Sequence, residues 1–271
     1  MPGSFEVVSE IEPPTRPDLK HVRHQIGVLS PIADSFLIPD NHLGRATVSS
    51  IAVAHEVEAM GGRCIACLNS RDRNLLGFRR DLLTAAAYGV REFLFVYGDK
   101  PVSGGRTSDL NVRAMMEELR SLRDAPAFAG RPPFRVGVAA GLKRPPPVWK
   151  READFTFLQV SYSIEAALAW RDRVDLDGAV YAGVMVLASA AMARRLAATI
   201  PDIDIPPDLV DRVERDSRAG VDAACRQVLG LRDSGAFDGV HLVPVSRYRE
   251  VAARLEADLA GSRPGRGKLG G

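Results

Sequence analysis

Short apolar runs recur along the chain, each closed by a polar turn and followed by a longer stretch whose apolar residues fall at helical spacing. The run at 93–96, Phe-Leu-Phe-Val, breaks into Tyr97-Gly98-Asp99-Lys100-Pro101 and shows the pattern at its plainest. A continuous apolar run with no alternation is the mark of a parallel strand buried on both faces. The same reading predicts strands at 5–9, 33–38, 63–68, 134–139, 155–159, 179–186 and 239–244. Helical spacing covers 17–29, 47–60, 71–88, 108–123, 164–173, 188–199 and 248–259, with a longer helical region at 208–233 broken near Gly220. Pro145-Pro146-Pro147 excludes a helix after the fifth strand. Eight strands alternating with helices predict an α/β protein built as a single (β/α)8 TIM barrel. The barrel is expected over residues 1–260, with a disordered Gly/Arg/Lys-rich tail at 261–271.

Composition narrows the partners. The chain has 271 residues, 46% of them hydrophobic, enough for the core of a barrel of this size. A net charge of +2 gives no field that calls for nucleic acid. No apolar run reaches the length of a membrane span, for which about 18 residues are needed. Three cysteines and no signal sequence point to a reducing, cytoplasmic setting. Cys64-Ile65-Ala66-Cys67 has the C-x-x-C spacing, but on a strand the two thiols face opposite sides, and no second pair follows, so no metal is expected. His21 and His24 share a helix face without a carboxylate or thiol partner and suit a solvated surface.

Four polar residues stand where strands end. Glu10 precedes Ile11-Glu12-Pro13-Pro14 and is either a surface glutamate ahead of a stiff loop or a general acid, since apolar surroundings favour the proton-carrying form of a carboxyl. Asn41 lies in the polar loop Pro39-Asp40-Asn41-His42-Leu43-Gly44-Arg45. Asp99 caps the next helix or serves a site. Gln159 bonds to backbone or offers a donor and an acceptor to a planar heterocycle. In a closed barrel all four share one rim, the rim on which such folds carry their chemistry. Gly104-Gly105 lacks the spacing of a phosphate loop, and His55 and Glu56 lie within a helix with no assigned role.

These residues, in this order, resemble the methylenetetrahydrofolate reductase family over about residues 5 to 255. The family's first strand ends in a glutamate before a Pro-Pro turn, as in Ser9-Glu10-Ile11-Glu12-Pro13-Pro14. Its fourth strand ends in Arg-Gly-Asp-x-Pro, here Tyr97-Gly98-Asp99-Lys100-Pro101, and its sixth in Thr-Gln, here Leu158-Gln159. The turn Pro-Gly-Ile-x-Pro looks like Ala182-Gly183-Val184-Met185-Val186, and the Ile-Pro helix start looks like Ile205-Pro206-Pro207-Asp208-Leu209. The resemblance implies reduction of 5,10-methylenetetrahydrofolate to 5-methyltetrahydrofolate in one-carbon metabolism and methionine biosynthesis. It gives Glu10 the role of general acid, Asp99 that of the carboxylate binding the pterin, and Gln159 that of orienting the folate, with Asn41 expected on the substrate side.

The departures bear on the cofactor. Where the family has His-Leu-Thr on its third strand this chain has Cys64-Ile65-Ala66; its strand-four Arg is Tyr97; its Ala-Tyr-Pro-Glu and following His become Ala139-Ala140-Gly141-Leu142 and three prolines. These are groups that hold flavin in the family. The chain is thus similar to the small, actinobacterial-type reductases that work without FAD, and direct hydride transfer from NADH, with NADPH as the other candidate, is expected. No dinucleotide fingerprint marks a cofactor site. The alternatives are the same reaction with FAD held by other contacts, or a folate-binding accessory barrel without turnover. Nothing in the chain specifies an oligomeric state, and a monomer is compatible with it.

Overall fold

The computed structural model describes residues 5–122, 125–200 and 203–260. The tail at 261–271, expected to be disordered, lies outside the described residues. Eight parallel strands close into a barrel in chain order: β1 (Glu6–Glu10), β2 (Ser35–Ile38), β3 (Cys64–Asn69), β4 (Glu92–Val96), β5 (Arg135–Ala140), β6 (Phe155–Val160), β7 (Ala179–Met185) and β8 (Gly239–Val243). The outer ring holds α1 (Lys20–Leu29), α2 (Ser50–Ala59), α3 (Leu75–Ala87), α4 (Val112–Leu122), α5 (Ile164–Arg171), α6 (Ala190–Thr199), α7 (Pro207–Arg215), α8 (Arg218–Ser234) and α9 (Tyr248–Ala260). The predicted (β/α)8 barrel is therefore the fold. Among the described residues no helix is long and apolar enough to cross a membrane.

Strand alternation sorts the core into two layers. Val8, Leu37, Ile65, Cys67, Leu94, Phe155, Phe157 and Tyr181 fill the barrel interior. Their neighbours, among them Val7, Ile38, Cys64, Ala66, Phe93 and Phe95, pack outward under the helices. Cys64 and Cys67 accordingly sit in different layers, as the strand reading predicts. Burial pushes the Cys67 thiol well above its usual range, and the carboxylates of Glu10 and Asp40 add to the shift.

One departure from the expected elements has a clear cause. The break in the long helical region falls at Asp216–Ser217, between α7 and α8, and not at Gly220. Gly220 is inside α8 because a Cβ there would lie 2.0 Å from the Leu187 carbonyl oxygen, so the glycine serves close packing and no bend. Between β5 and β6 the alternation lapses as the three prolines predict: among the described residues the only helical element there is a 3-10 turn at Val148–Lys150, since the prolines supply no N–H for a helical ladder.

At the amino end of the strands the charges are compensated. Glu6 accepts a hydrogen bond from the Tyr181 hydroxyl at 2.8 Å and pairs with Arg63 at 3.1 Å, and Arg135 pairs with Glu92 at 3.0 Å. Three aspartates that precede strands reach to the strand before. Asp34, Asp154 and Asp238 accept from the backbone N–H groups of Val7, Val136 and Val180 at 2.8, 2.7 and 2.8 Å. Each satisfies a strand-end donor that the sheet leaves unpaired.

Candidate active site

The carboxyl ends of the strands form the opposite rim, and all four residues singled out in the sequence stand on it. Glu10 is the last residue of β1. Strand β8 pairs with β1 and closes the barrel, which sets His241 beside it: His241 Nε2 lies 3.2 Å from Glu10 Oε2. Both side chains are sheltered, at 16% and 13% exposure for Glu10 and His241. Nε2 is buried yet completes no aligned hydrogen bond among the described residues, so ring and carboxylate are close without being locked together. The Phe157 ring meets the imidazole edge-on at 5.3 Å and stacks on Tyr181 at 5.0 Å, giving the pair an aromatic floor.

Asp99 follows β4 and is far more open, with its side chain 56% exposed. Its Oδ2 accepts from the Leu43 N–H at 2.8 Å, and His42 Nδ1 is 4.0 Å away. The carboxylate thus holds the loop after β2. Gly98 makes the turn possible: its φ is +93°, and a Cβ would come within 2.8 Å of Asn69 Cβ. Asn41 belongs to the same loop, in the left-handed region at φ +49°, with its amide donating to Asp72 at 3.0 Å and its oxygen accepting from Thr47 N–H at 3.3 Å.

Gln159 stands across the mouth near the end of β6. The β6–β7 register slips between Phe157 and Val160, and such an irregularity re-aims a side chain. Its Oε1 accepts from the Val160 N–H at 3.0 Å, which turns the side chain onto a cavity bounded by Ala140, Gly141 and Lys150. The structure therefore joins Asn41 and Asp99 through one loop, and Glu10 with His241. Among the described residues no hydrogen bond or ion pair links Glu10 to Asp99, or Gln159 to either.

Sequence reasoning missed a set of rim residues. His241 carried a signal: one ionisable side chain inside the apolar run Gly239-Val240-His241-Leu242-Val243, at an inward position. The polar run Asn69-Ser70-Arg71-Asp72-Arg73 after β3 carried another. The Asp40 side chain is only 6% exposed and accepts from Arg73 at 2.6 Å and from both the backbone N–H and the side-chain amide of Asn69, at 2.9 and 2.8 Å. Burial alone would lower the Arg73 guanidinium, but Asp40 and Asp81 more than offset it and leave it above its ordinary value. This network fixes the β2 and β3 ends against which the Asn41 loop is tied. Among the described residues no group of three or more His, Cys, Asp or Glu is placed to hold a metal ion.

Three positions compared with the resembled family's flavin contacts can be placed in the structure. Cys64 and Ala66 face the helices, and the Tyr97 hydroxyl is taken by Arg106 at 2.5 Å. At these positions the side chains differ from those of the resembled family.

No protein-family model matches the chain, and no curated protein matches it in sequence. Solved structures do match in fold. A Clostridium thermocellum protein described as binding two copies of 5-methyl-5,6,7,8-tetrahydrofolic acid superposes with TM-score 0.62 at 14% identity, over 95% of this chain and 96% of that one. The long-chain alkane monooxygenase LadA gives 0.60 at 10% identity, over 96% and 92%. The EDTA monooxygenase of Chelativorans sp. BNC1 gives 0.59 at 10%, over 95% and 94%. All three likenesses, at these identities, are of fold.

Proposed function

We propose that the protein reduces 5,10-methylenetetrahydrofolate to 5-methyltetrahydrofolate, with the hydride passing directly from NADH or NADPH to the folate. The observation that carries this reading is the sheltered Glu10–His241 pair at the barrel mouth, 3.2 Å apart, with an aromatic floor. The fold shared with a tetrahydrofolate-binding barrel and the family-like order of Glu10, Asp99 and Gln159 support it.

The chemistry asks for one proton donor and one hydride donor. Glu10, protonated when substrate binds, gives its proton to the bridging nitrogen of the five-membered ring. The C–N bond breaks, its electron pair goes to that nitrogen, and the one-carbon unit becomes an iminium. The nicotinamide supplies the hydride that adds to the iminium carbon and leaves the methyl product. His241, within reach of the same carboxyl, returns a proton to Glu10 between turnovers. Asp99 uses the oxygen that Leu43 leaves to it, binding the pterin and steadying positive charge as it develops. Gln159 presents its amide N–H groups to the heterocycle. Side chains without a redox role of their own suffice if the two reactants are held close and in line, about 3–3.5 Å apart.

The test is one cuvette. The purified protein is scanned for flavin absorbance and then given NADH and methylenetetrahydrofolate. A colourless protein that oxidises NADH only when the folate is present meets the proposal. A yellow protein replaces it with the flavin-dependent route. Folate binding without NADH oxidation, FAD added or not, replaces it with an accessory folate-binding barrel.

A further inference from the structure

The mouth of the barrel is flanked by two large cavities of opposite character. One, of about 710 Å³, lies between the loops after β1 and β8, and its walls carry both signs: Glu12 and Asp18 with Arg16 and Arg249. The other, of about 650 Å³, opens where the β5–β6 connection lacks its helix. Its walls bring together Lys143, Arg144 and Lys150, and no Asp or Glu is among its lining residues. The whole chain carries only +2, so this concentration of one sign is local. Concave walls of one sign focus the field and favour a ligand of the other.

The loop is built to hold these cations in place. Pro145, Pro146 and Pro147 fix its backbone and Pro146 is buried. They also remove the N–H groups from which glycine-rich loops make a phosphate cradle, so an anion here is held by side chains. Lys150 donates to the Ala139 carbonyl and sits 5.5 Å from the Trp149 ring centroid. Burial pulls its ammonium below the usual value, and a bound oxyanion would offset that cost. Gln159 closes the inner wall, on the side facing the barrel axis.

We propose that this cavity seats the phosphates of a nucleotide ligand. Resting on the function proposed above, the ligand is the nicotinamide dinucleotide, with its diphosphate at Lys143, Arg144 and Lys150 and its nicotinamide directed past Gln159 toward the folate. A rigid cationic loop needs little ordering on binding, which favours affinity.

The test uses the full-length protein without folate, with NADH binding followed by its fluorescence and ADP-ribose as competitor. Charge reversal in Lys143→Glu/Arg144→Glu should raise the Kd for both ligands about tenfold or more and flatten their salt dependence. Arg249→Glu, in the cavity of mixed charge, should leave both unchanged. An unaltered thermal midpoint shows that the reversed variants are folded. The proposal is overturned if the wild type does not bind ADP-ribose, if the double reversal leaves its Kd unchanged, or if both reversals weaken it equally. It is overturned too if the double reversal weakens a triglutamyl folate but not NADH, because the cations would then serve the folate tail. If the double reversal abolishes ADP-ribose binding in a protein that does not reduce the folate, the cavity assignment stands and the proposed reaction falls.

Discussion

The two ends of the barrel use the same kinds of side chain to different effect. At the amino end, Glu6 is bonded to Tyr181 and paired with Arg63, and Glu92 is paired with Arg135. Three aspartates there close strand-end N–H groups. At the carboxyl end, Glu10 and His241 lie close but unaligned, and Asp99 spends one oxygen on a loop and leaves the other open. The buried Arg71 side chain likewise has Nε and Nη2 without a hydrogen bond among the described residues, its nearest carboxylate being Asp72 at 3.8 Å. The pairs at the amino end close on one another, while at the carboxyl end the Asp40–Arg73 pair is equally closed and Glu10, His241, Asp99 and Arg71 keep polar atoms without an aligned partner among the described residues.

Breaking the carboxyl end should cost turnover and spare stability. Glu10→Gln should reduce kcat by about 10²–10⁴-fold while folate still binds, because the amide keeps the shape and loses the proton. Unchanged turnover would remove Glu10 as the acid. His241→Ala should lower kcat by about 10²-fold with little change in KM, the low end of what a positioned proton-transfer group contributes. A change confined to KM would assign it to substrate binding. Breaking the amino end should do the reverse. Tyr181→Phe leaves a Glu6 oxygen without its donor and should cost about 1–3 kcal/mol in urea unfolding, with kcat intact. A comparable loss of turnover would mean that the two ends are not separable. The smallest effect sharpens the contrast: Asp99→Asn should weaken folate binding and slow reduction together by a modest factor, since an exposed carboxylate acts through a screened field. Unchanged kinetics would restrict Asp99 to holding the loop after β2.

Much of this contrast is legible in the amino-acid sequence. The eight strands announce themselves as apolar runs because both of their faces are buried, and Glu10, Asp99 and Gln159 stand out as polar residues where those runs end. What the sequence hides depends on closure. His241 meets Glu10 only because β8 pairs with β1, a contact between the two ends of the chain. The Asp40–Arg73 pair likewise spans two loops. Gly220 misleads because a glycine required by close packing and a glycine at a break look alike in one dimension. The cationic cavity is hidden for a related reason: Lys143, Arg144 and Lys150 are ordinary in a row of residues and form a wall only where a helix is missing.

The central claim is direct hydride transfer at the rim that carries Glu10, and isotopic labelling tests it at the level of the transferred atom. NADH deuterated on its transferring face at the nicotinamide C4 is supplied with methylenetetrahydrofolate, and the product is analysed by mass spectrometry. Direct transfer predicts one deuterium in the methyl group of every product molecule, independent of the water in which the reaction runs. A methyl group that instead takes hydrogen from the solvent would mean an exchanging carrier stands between the two reactants, and a product that never forms would remove the reaction altogether.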